Sequence, residues 1–292
     1  MNADFGRKII VYDVGGSHIS AGVCSEPNYE LGGIRRAQLP AQESAEAFVD
    51  VLQMLAEQVT ENEEPIAGAS LAMPGPFDYV KGISFMKHKL IYLYGWDLRQ
   101  AIADRHGWLP RQVKFLNDAA AYMLGEIGAG AAKGFSRVVV LTLGTGVGSG
   151  FAIDGKVQTE GNGVPPGGEI WNVSYEGGIV EDQISTRALQ KSYHDRTGNQ
   201  VEVAAIAAAA AKEDAAAEVF GAFGHTLGKA VKALLTDFAP DVVVVGGGIA
   251  RSAPLFLPQA LSELGGSGIE LRVARLDERA PLVGAGVYWL RD

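Results

Sequence analysis

Residues 138–157 read VVVLTLGTGVGSGFAIDGKV. The run from Val138 to Leu143 is apolar, rich in β-branched side chains and short for a helix, so it predicts a buried strand. Gly144-Thr145-Gly146-Val147-Gly148-Ser149-Gly150 follows, with a glycine at every second position. A second strand, 151–153, then meets Asp154-Gly155, a hairpin turn signal. A turn without Cβ atoms lets backbone N–H groups approach a phosphate closely. Taken alone, the same residues also suit a hairpin that only needs a tight bend.

The layout recurs near the start of the chain. Ile9-Ile10-Val11-Tyr12-Asp13-Val14-Gly15-Gly16-Ser17-His18-Ile19-Ser20-Ala21-Gly22-Val23 is again strand, glycine turn, strand, with an aspartate near the end of the first strand. Neither turn is a P-loop, because no Gly-Lys-Ser/Thr follows, and neither opens a helix as a dinucleotide fingerprint would. Two such hairpins about 130 residues apart point to two similar halves. A third cluster, Val245-Gly246-Gly247-Gly248-Ile249-Ala250, ends a strand and leads into a helix.

Composition bounds the rest. A chain of 292 residues can form one large or two ordinary domains. Its 38 glycines, about double ordinary usage, call for many tight turns. A net charge of −9 argues against a nucleic-acid or anionic-membrane surface. Cys24 is the only cysteine, which excludes an internal disulfide framework and a cysteine-based zinc cluster; its place in an apolar strand predicts a buried, inert thiol. Residues 1–8 are polar and no apolar run reaches spanning length, so the expected compartment is the cytoplasm.

In chain order, 43–59 predicts an amphipathic helix with Phe48, Val51, Leu52, Leu55 and Val59 on one face and Ser44 able to cap it. A strand over 66–72 ends in Met73-Pro74-Gly75-Pro76, a rigid loop at a strand end, where α/β proteins build sites. Residues 82–94 read as irregular, and Asp97 caps a helix through His106. A short strand, 113–116, runs into Asn117-Asp118 and a helix over 119–130. A glycine-rich connection, 160–178, carries Glu169, Trp171 and Asn172; Glu181 precedes a helix over 182–197. Alanine-rich helices fill 203–238, followed by strand 242–245, helix 254–264, strand 269–276 and helix 281–290. Such an alternation, with a hairpin opening each half, is an α/β mixed sheet flanked by helices.

Asp13-Val14-Gly15-Gly16-Ser17-His18, Leu143-Gly144-Thr145-Gly146-Val147-Gly148 and Val245-Gly246-Gly247-Gly248 resemble the phosphate 1, phosphate 2 and adenosine motifs of the ATPase superfamily that includes actin and hexokinase. Within it, Asn117-Asp118-Ala119-Ala120-Ala121 and Gly168-Glu169-Ile170 resemble the ROK family of sugar kinases and repressors. The resemblance spans nearly the whole chain in the right order. It implies two ribonuclease-H-like domains around a central cleft: 1–116, rejoined by a last helix over 280–292, and 117–279. It also implies an ATP-dependent sugar kinase, glucokinase-like, that phosphorylates a hexose hydroxyl, with the 6-hydroxyl of glucose the first expectation. A homodimer is the family's ordinary assembly.

Phosphoryl transfer needs positioning, charge neutralisation and an acceptor for the hydroxyl proton. Asp118 aligns with the family's catalytic aspartate; its residues alone would equally suit a helix cap. Asn117 offers a donor and an acceptor to a sugar hydroxyl, and Glu169, Glu181, Asn172 and Gly75 complete the expected sugar contacts. Asp13 would hold Mg²⁺ through water, because hard cations prefer carboxylate oxygens and magnesium keeps much of its hydration. Gly15, Gly16, Ser17, Gly144, Thr145 and Gly146 would face the phosphates, and Gly246, Gly247 and Gly248 the adenosine.

Two departures stand out. Where the family usually follows Gly-Glu-Ile with Gly-His and zinc cysteines, Trp171-Asn172 and residues 175–180 stand here, so a zinc-free site braced by Trp171 is expected. Lys87-His88-Lys89-Leu90-Ile91-Tyr92 replaces the family's asparagine-containing segment before Gly95-Trp96. The alternative reading is a non-catalytic sugar- and nucleotide-binding sensor, with polyphosphate a further candidate donor for a kinase. A DNA-binding repressor would need a helix-turn-helix ahead of Ile9, where eight residues stand.

Overall fold

The protein is described by a computed structural model covering residues 6–40, 44–60 and 65–291. It divides into two compact units, Met1–Gly130 with Glu278–Asp292, and Ala131–Asp277. The sequence places the boundary at 116/117, but the structure keeps the helix Asp118–Ala129 with the first unit.

The reason is glycine packing. The helix Asp118–Ala129 lies along the last helix, Ala280–Leu290, with backbones close enough to touch. A Cβ on Gly284 would stand 1.7 Å from the Ala121 carbonyl oxygen, and one on Gly125 would stand 2.1 Å from that of Ala280. No side chain beyond glycine's hydrogen fits at either position, so the two helices pack backbone to backbone.

In the first unit a five-stranded sheet runs Glu30–Gln38, His18–Ser25, Lys8–Val14, Ala69–Met73, Val113–Asn117. The first three strands are antiparallel and the last two join in parallel. One face buries Ile10, Tyr12 and Val14 against the helix Ala45–Val59, whose Phe48, Leu52 and Leu55 are fully buried. Ser44 caps that helix, its Oγ accepting from Ala47 N–H at 3.1 Å; the expected start at Glu43 lies outside the described residues. Asp97 caps Leu98–His106 as its spacing predicts, through Gln100 N–H at 2.9 Å.

The second unit repeats the order: Lys156–Gln158, Val147–Ile153, Arg137–Leu143, Val242–Gly246, Glu270–Val273, again three antiparallel strands and two parallel. Both units are ribonuclease-H-like, with mixed sheets flanked by helices. Asp154 (φ +52°) and Gly155 (φ +72°) make the predicted two-residue hairpin turn.

Two helices differ from the sequence expectation, and the alanine-rich run resolves into the separate helices expected of it. The segment read as one helix over 182–197 is two, Val180–Ile184 and Thr186–Thr197, broken at extended Ser185. The break frees Thr186 N–H to donate to the Gly144 carbonyl at 2.8 Å, tying the second helix to the glycine turn. The helices expected over 203–238 are Val203–Ala209 and Asp214–Leu235. Pro254 sits inside a 3₁₀ segment, Gly248–Leu255, before the helix Leu257–Glu263. Cys24 is fully buried and burial pushes its thiol up to about 12, so it is an inert core group. Among the described residues no helix is long and apolar enough to cross a membrane.

Candidate active site

In the first unit the site residues stand at the ends of neighbouring strands. Asp13 is the penultimate residue of Lys8–Val14 and pairs in register with Ser20 on one side and Ala72 on the other. Asn117 ends the parallel strand Val113–Asn117, next to Met73. Asp118 is the first residue of the following helix.

Asn117, not Asp118, is the cap. Its Oδ1 accepts from Ala119 N–H (2.9 Å) and Ala120 N–H (3.1 Å), and its Nδ2 donates to the Tyr79 hydroxyl (3.2 Å). The Tyr79 hydroxyl donates in turn to the Met73 carbonyl at 3.2 Å, below the Gly75 loop. Asn117 therefore arrives with its carbonyl oxygen engaged and one amide hydrogen left, less than the donor-and-acceptor pair its side chain offers on paper. With the capping done by its neighbour, Asp118 is released from that role. Its Oδ1 accepts from Ala119 N–H at 2.9 Å.

Both carboxylates are strained electrostatically. Burial pushes Asp13 up to about 6, with the charges of Asp118 and Glu278 adding to the rise and Arg36 opposing it. Burial also raises Asp118, opposed by the Ala119 N–H, by Lys89 and by Asn117. Two partly buried acids, one of which raises the other, fit a site where a divalent cation would relieve the repulsion. Among the described residues no group of three or more His, Cys, Asp or Glu could cage a metal. Magnesium beside a nucleotide takes one or two carboxylates, with phosphate and water oxygens completing the shell, and Asp13 is the carboxylate that would hold it.

In the second unit the turn Gly144–Thr145–Gly146 links antiparallel strands, closed by Gly144 N–H to the Gly146 carbonyl at 3.0 Å. The third glycine cluster is its neighbour, because Gly246 pairs with Thr142. Gly247 has φ +83° and a Cβ there would meet the Leu143 carbonyl oxygen at 2.5 Å. Only glycine lets the two turns lie side by side.

The two glutamates behave differently from one another. Glu181 lies against the turn, its Oε2 accepting from Val147 N–H at 3.1 Å and its Oε1 3.6 Å from the Arg187 guanidinium. Both oxygens have partners within the unit, which makes it a brace for the turn and the weaker of the two sugar candidates. Glu169 is exposed and receives a hydrogen bond from the Trp171 indole N–H on its Oε2 at 3.0 Å. Trp171 was expected to brace this loop by packing; it is 38% exposed and acts through its N–H instead. The loop is further pinned by Ser149 Oγ, which donates to the Gly168 carbonyl (2.6 Å) and accepts from Ile170 N–H (2.9 Å). A small hairpin, Ser174–Tyr175 with Gly178–Ile179, follows. Asn172 is exposed beside it.

Sequence reasoning passed over Tyr79, Arg36 and Lys89. Tyr79 carries no motif signal; its role appears only once the Gly75 loop folds back. Lys89 stood in the segment that departs from the family pattern, and that departure was the available signal.

The chain is 30% identical over 281 residues to a glucokinase of Thermotoga maritima, covering 85% of this chain and 84% of that protein. It is 25% identical over 274 residues to an N-acetyl-D-glucosamine kinase of Mannheimia succiniciproducens, covering 86% and 88%. The crystal structure of a ROK hexokinase from Thermus thermophilus superposes with a TM-score of 0.78 at 26% identity, covering 96% of this chain and 97% of that one. The sequence profile described as the ROK family matches residues 9–292, which take in both glycine hairpins, Asn117-Asp118 and the Gly168-Glu169 loop: the chain belongs to the ROK family.

Proposed function

We propose that this chain is an ATP-dependent sugar kinase that transfers the terminal phosphoryl group to a hexose hydroxyl, with Asp118 as the general base. One observation carries the reading: Asp118 is relieved of helix capping by Asn117, partly buried, and raised in pKa at a strand end beside Asp13. A carboxylate whose pKa burial raises is a better proton acceptor than an ordinary surface aspartate. As the sugar oxygen bonds to phosphorus, its proton passes to Asp118 and the bond from phosphorus to the departing ADP oxygen breaks. Dispersed charge on the transferring group would be met by the Thr145 and Gly146 N–H groups of the glycine turn, since Gly144 N–H is engaged within it. A divalent cation at Asp13 would supply charge neutralisation on the nucleotide phosphates.

The relatives named glucokinase and N-acetyl-D-glucosamine kinase support a glucose-type acceptor. The 6-hydroxyl of glucose or of an N-acetylhexosamine is the proposed position, with Glu169 as the first sugar contact and Asn117 as the second. We take the working assembly to be a homodimer. The test is coupled ADP release with Mg²⁺-ATP across glucose, mannose, fructose and N-acetylhexosamines, with the product's phosphate located by NMR. Turnover with one sugar, phosphorylated at its 6-position, supports the reading. Nucleotide binding with no sugar-dependent ADP release would replace it with the sensor reading.

A further inference from the structure

The Gly15–Gly16–Ser17 turn has a cationic neighbour that none of the motifs includes. In the sheet register Asp13 pairs with Ser20, and Ser20 pairs with Arg36 on the next strand. Directly opposed residues point to the same face, so Asp13, Ser20 and Arg36 form one cross-strand row. Two strand spacings, about 10 Å, separate the ends of that row, a gap that an arginine side chain spans only in part.

Arg36 is exposed, and its hydrogen-bond partner among the described residues is the His18 imidazole rather than a carboxylate. The pairing fixes a tautomer. A guanidinium only donates, so His18 Nε2 must accept, and the ring proton of a neutral imidazole then sits on Nδ1. Nδ1 lies 3.1 Å from Ser17 Oγ and so donates to it, leaving the Ser17 hydroxyl hydrogen free to point away from the ring. His18 is itself held, since its carbonyl accepts from Gly15 N–H at 2.9 Å. Its ring lies over Gly15, where a Cβ would come within 3.4 Å of Cε1. Burial and the nearby Arg36 lower the His18 pKa against the opposing charge of Glu278, which favours the neutral ring of this arrangement.

A guanidinium and a hydroxyl donor are thus fixed beside a glycine turn, on the face that carries Asp13. This is a donor set for an anion with several oxygens. We propose that Arg36, oriented by His18, binds the terminal phosphates of the nucleoside triphosphate together with Ser17. The proposal rests on the reading that the Gly15–Ser17 turn receives the nucleotide. Arg36 would touch the ligand; His18 is a positioning residue.

The test is calorimetric titration of the full-length chain with Mg²⁺-AMPPNP and, separately, with AMP, for the wild type, Arg36→Gln, Arg36→Lys and His18→Leu. Arg36→Gln is expected to weaken AMPPNP about 10- to 100-fold, the range of a lost charge-assisted contact, while AMP binding stays within about twofold. Arg36→Lys should fall between, keeping the charge and losing the fork. His18→Leu should lose less than Arg36→Gln with the same selectivity for AMPPNP, a pattern that a general loosening of the hairpin would not produce. Unchanged AMPPNP affinity in Arg36→Gln, or equal losses for AMPPNP and AMP, would overturn the proposal while leaving the kinase reading intact. A wild type that binds neither nucleotide would overturn both.

Discussion

Among single residues, Asp13 shows the clearest conflict between stability and function. Its carboxyl sits at about 6, so the folded state holds the proton to higher pH than the unfolded chain, which releases it near the ordinary value of 3.8. Ionising it therefore costs the native state, and the loss sets in as pH rises between those two values. In metal-free buffer at pH 7.5, Asp13→Asn should raise the unfolding free energy by on the order of 1–3 kcal/mol, read from denaturant melts. The same variant should lose Mg²⁺-dependent turnover. A destabilised Asp13→Asn would show that the carboxylate is a structural anchor instead. Trp171 makes a second test. Trp171→Phe keeps the ring and removes the N–H that holds Glu169, so the sugar KM should rise about 3- to 10-fold, as for a lost hydrogen bond, with the ATP KM unchanged. A matching rise in both would mean that the loop as a whole had shifted. Motif alignment located Glu169 and Glu181 equally well and could not tell them apart. Their difference lies in what each carboxylate touches: Val147 N–H and Arg187 for one, an indole N–H for the other.

Elements follow from the sequence where a local pattern and its tertiary surroundings agree. Both glycine hairpins, the Asp154-Gly155 turn and the caps at Ser44 and Asp97 are local chemistry, and each stands where its residues put it. Helix ends set by distant partners were not legible. The break at Ser185 depends on Thr186 reaching the Gly144 carbonyl, a contact 42 positions away in sequence. Likewise the boundary that the resemblance implies, 116/117, puts the helix after Asn117 in the second half, while its partner is the last helix of the chain. The signal was present in Gly125 and Gly128, three apart on one helix, and in Gly284 on the other, while Gly286 packs on the sheet. A Cβ on Gly128 would meet Val287 at 2.5 Å, and one on Gly286 would meet Cys24 Sγ at 2.2 Å. Gly284→Val forces the two backbones apart and should destabilise the chain by about 3 kcal/mol or more, at the upper end of overpacking effects. Gly16→Ala, which meets nothing within 4 Å, is the matched control and should melt with the wild type. Comparable melting of the two variants would contradict the packing account.

For the whole molecule, the two glycine hairpins point to two similar halves and the family resemblance supplies the ribonuclease-H-like fold; the two units repeat one strand order, and each repeat opens on its own glycine hairpin. The acidic balance, −9 overall, predicts no retention on a DNA column at physiological salt, and salt-dependent retention there would contradict it. What the chain's order does not carry is the acceptor, because the segments that depart from the family pattern, 87–92 and 171–172, are the ones expected to meet it. The central claim is that Asp118 accepts the hydroxyl proton. The most direct measurement is sugar-dependent ADP release by Asp118→Asn, alongside calorimetric binding of the same sugar and of AMPPNP. The account predicts a fall in kcat of about 10²- to 10⁴-fold, the usual contribution of a positioned base, with both affinities within a few-fold of wild type. Near-wild-type kcat in Asp118→Asn, with both ligands still bound, would contradict it.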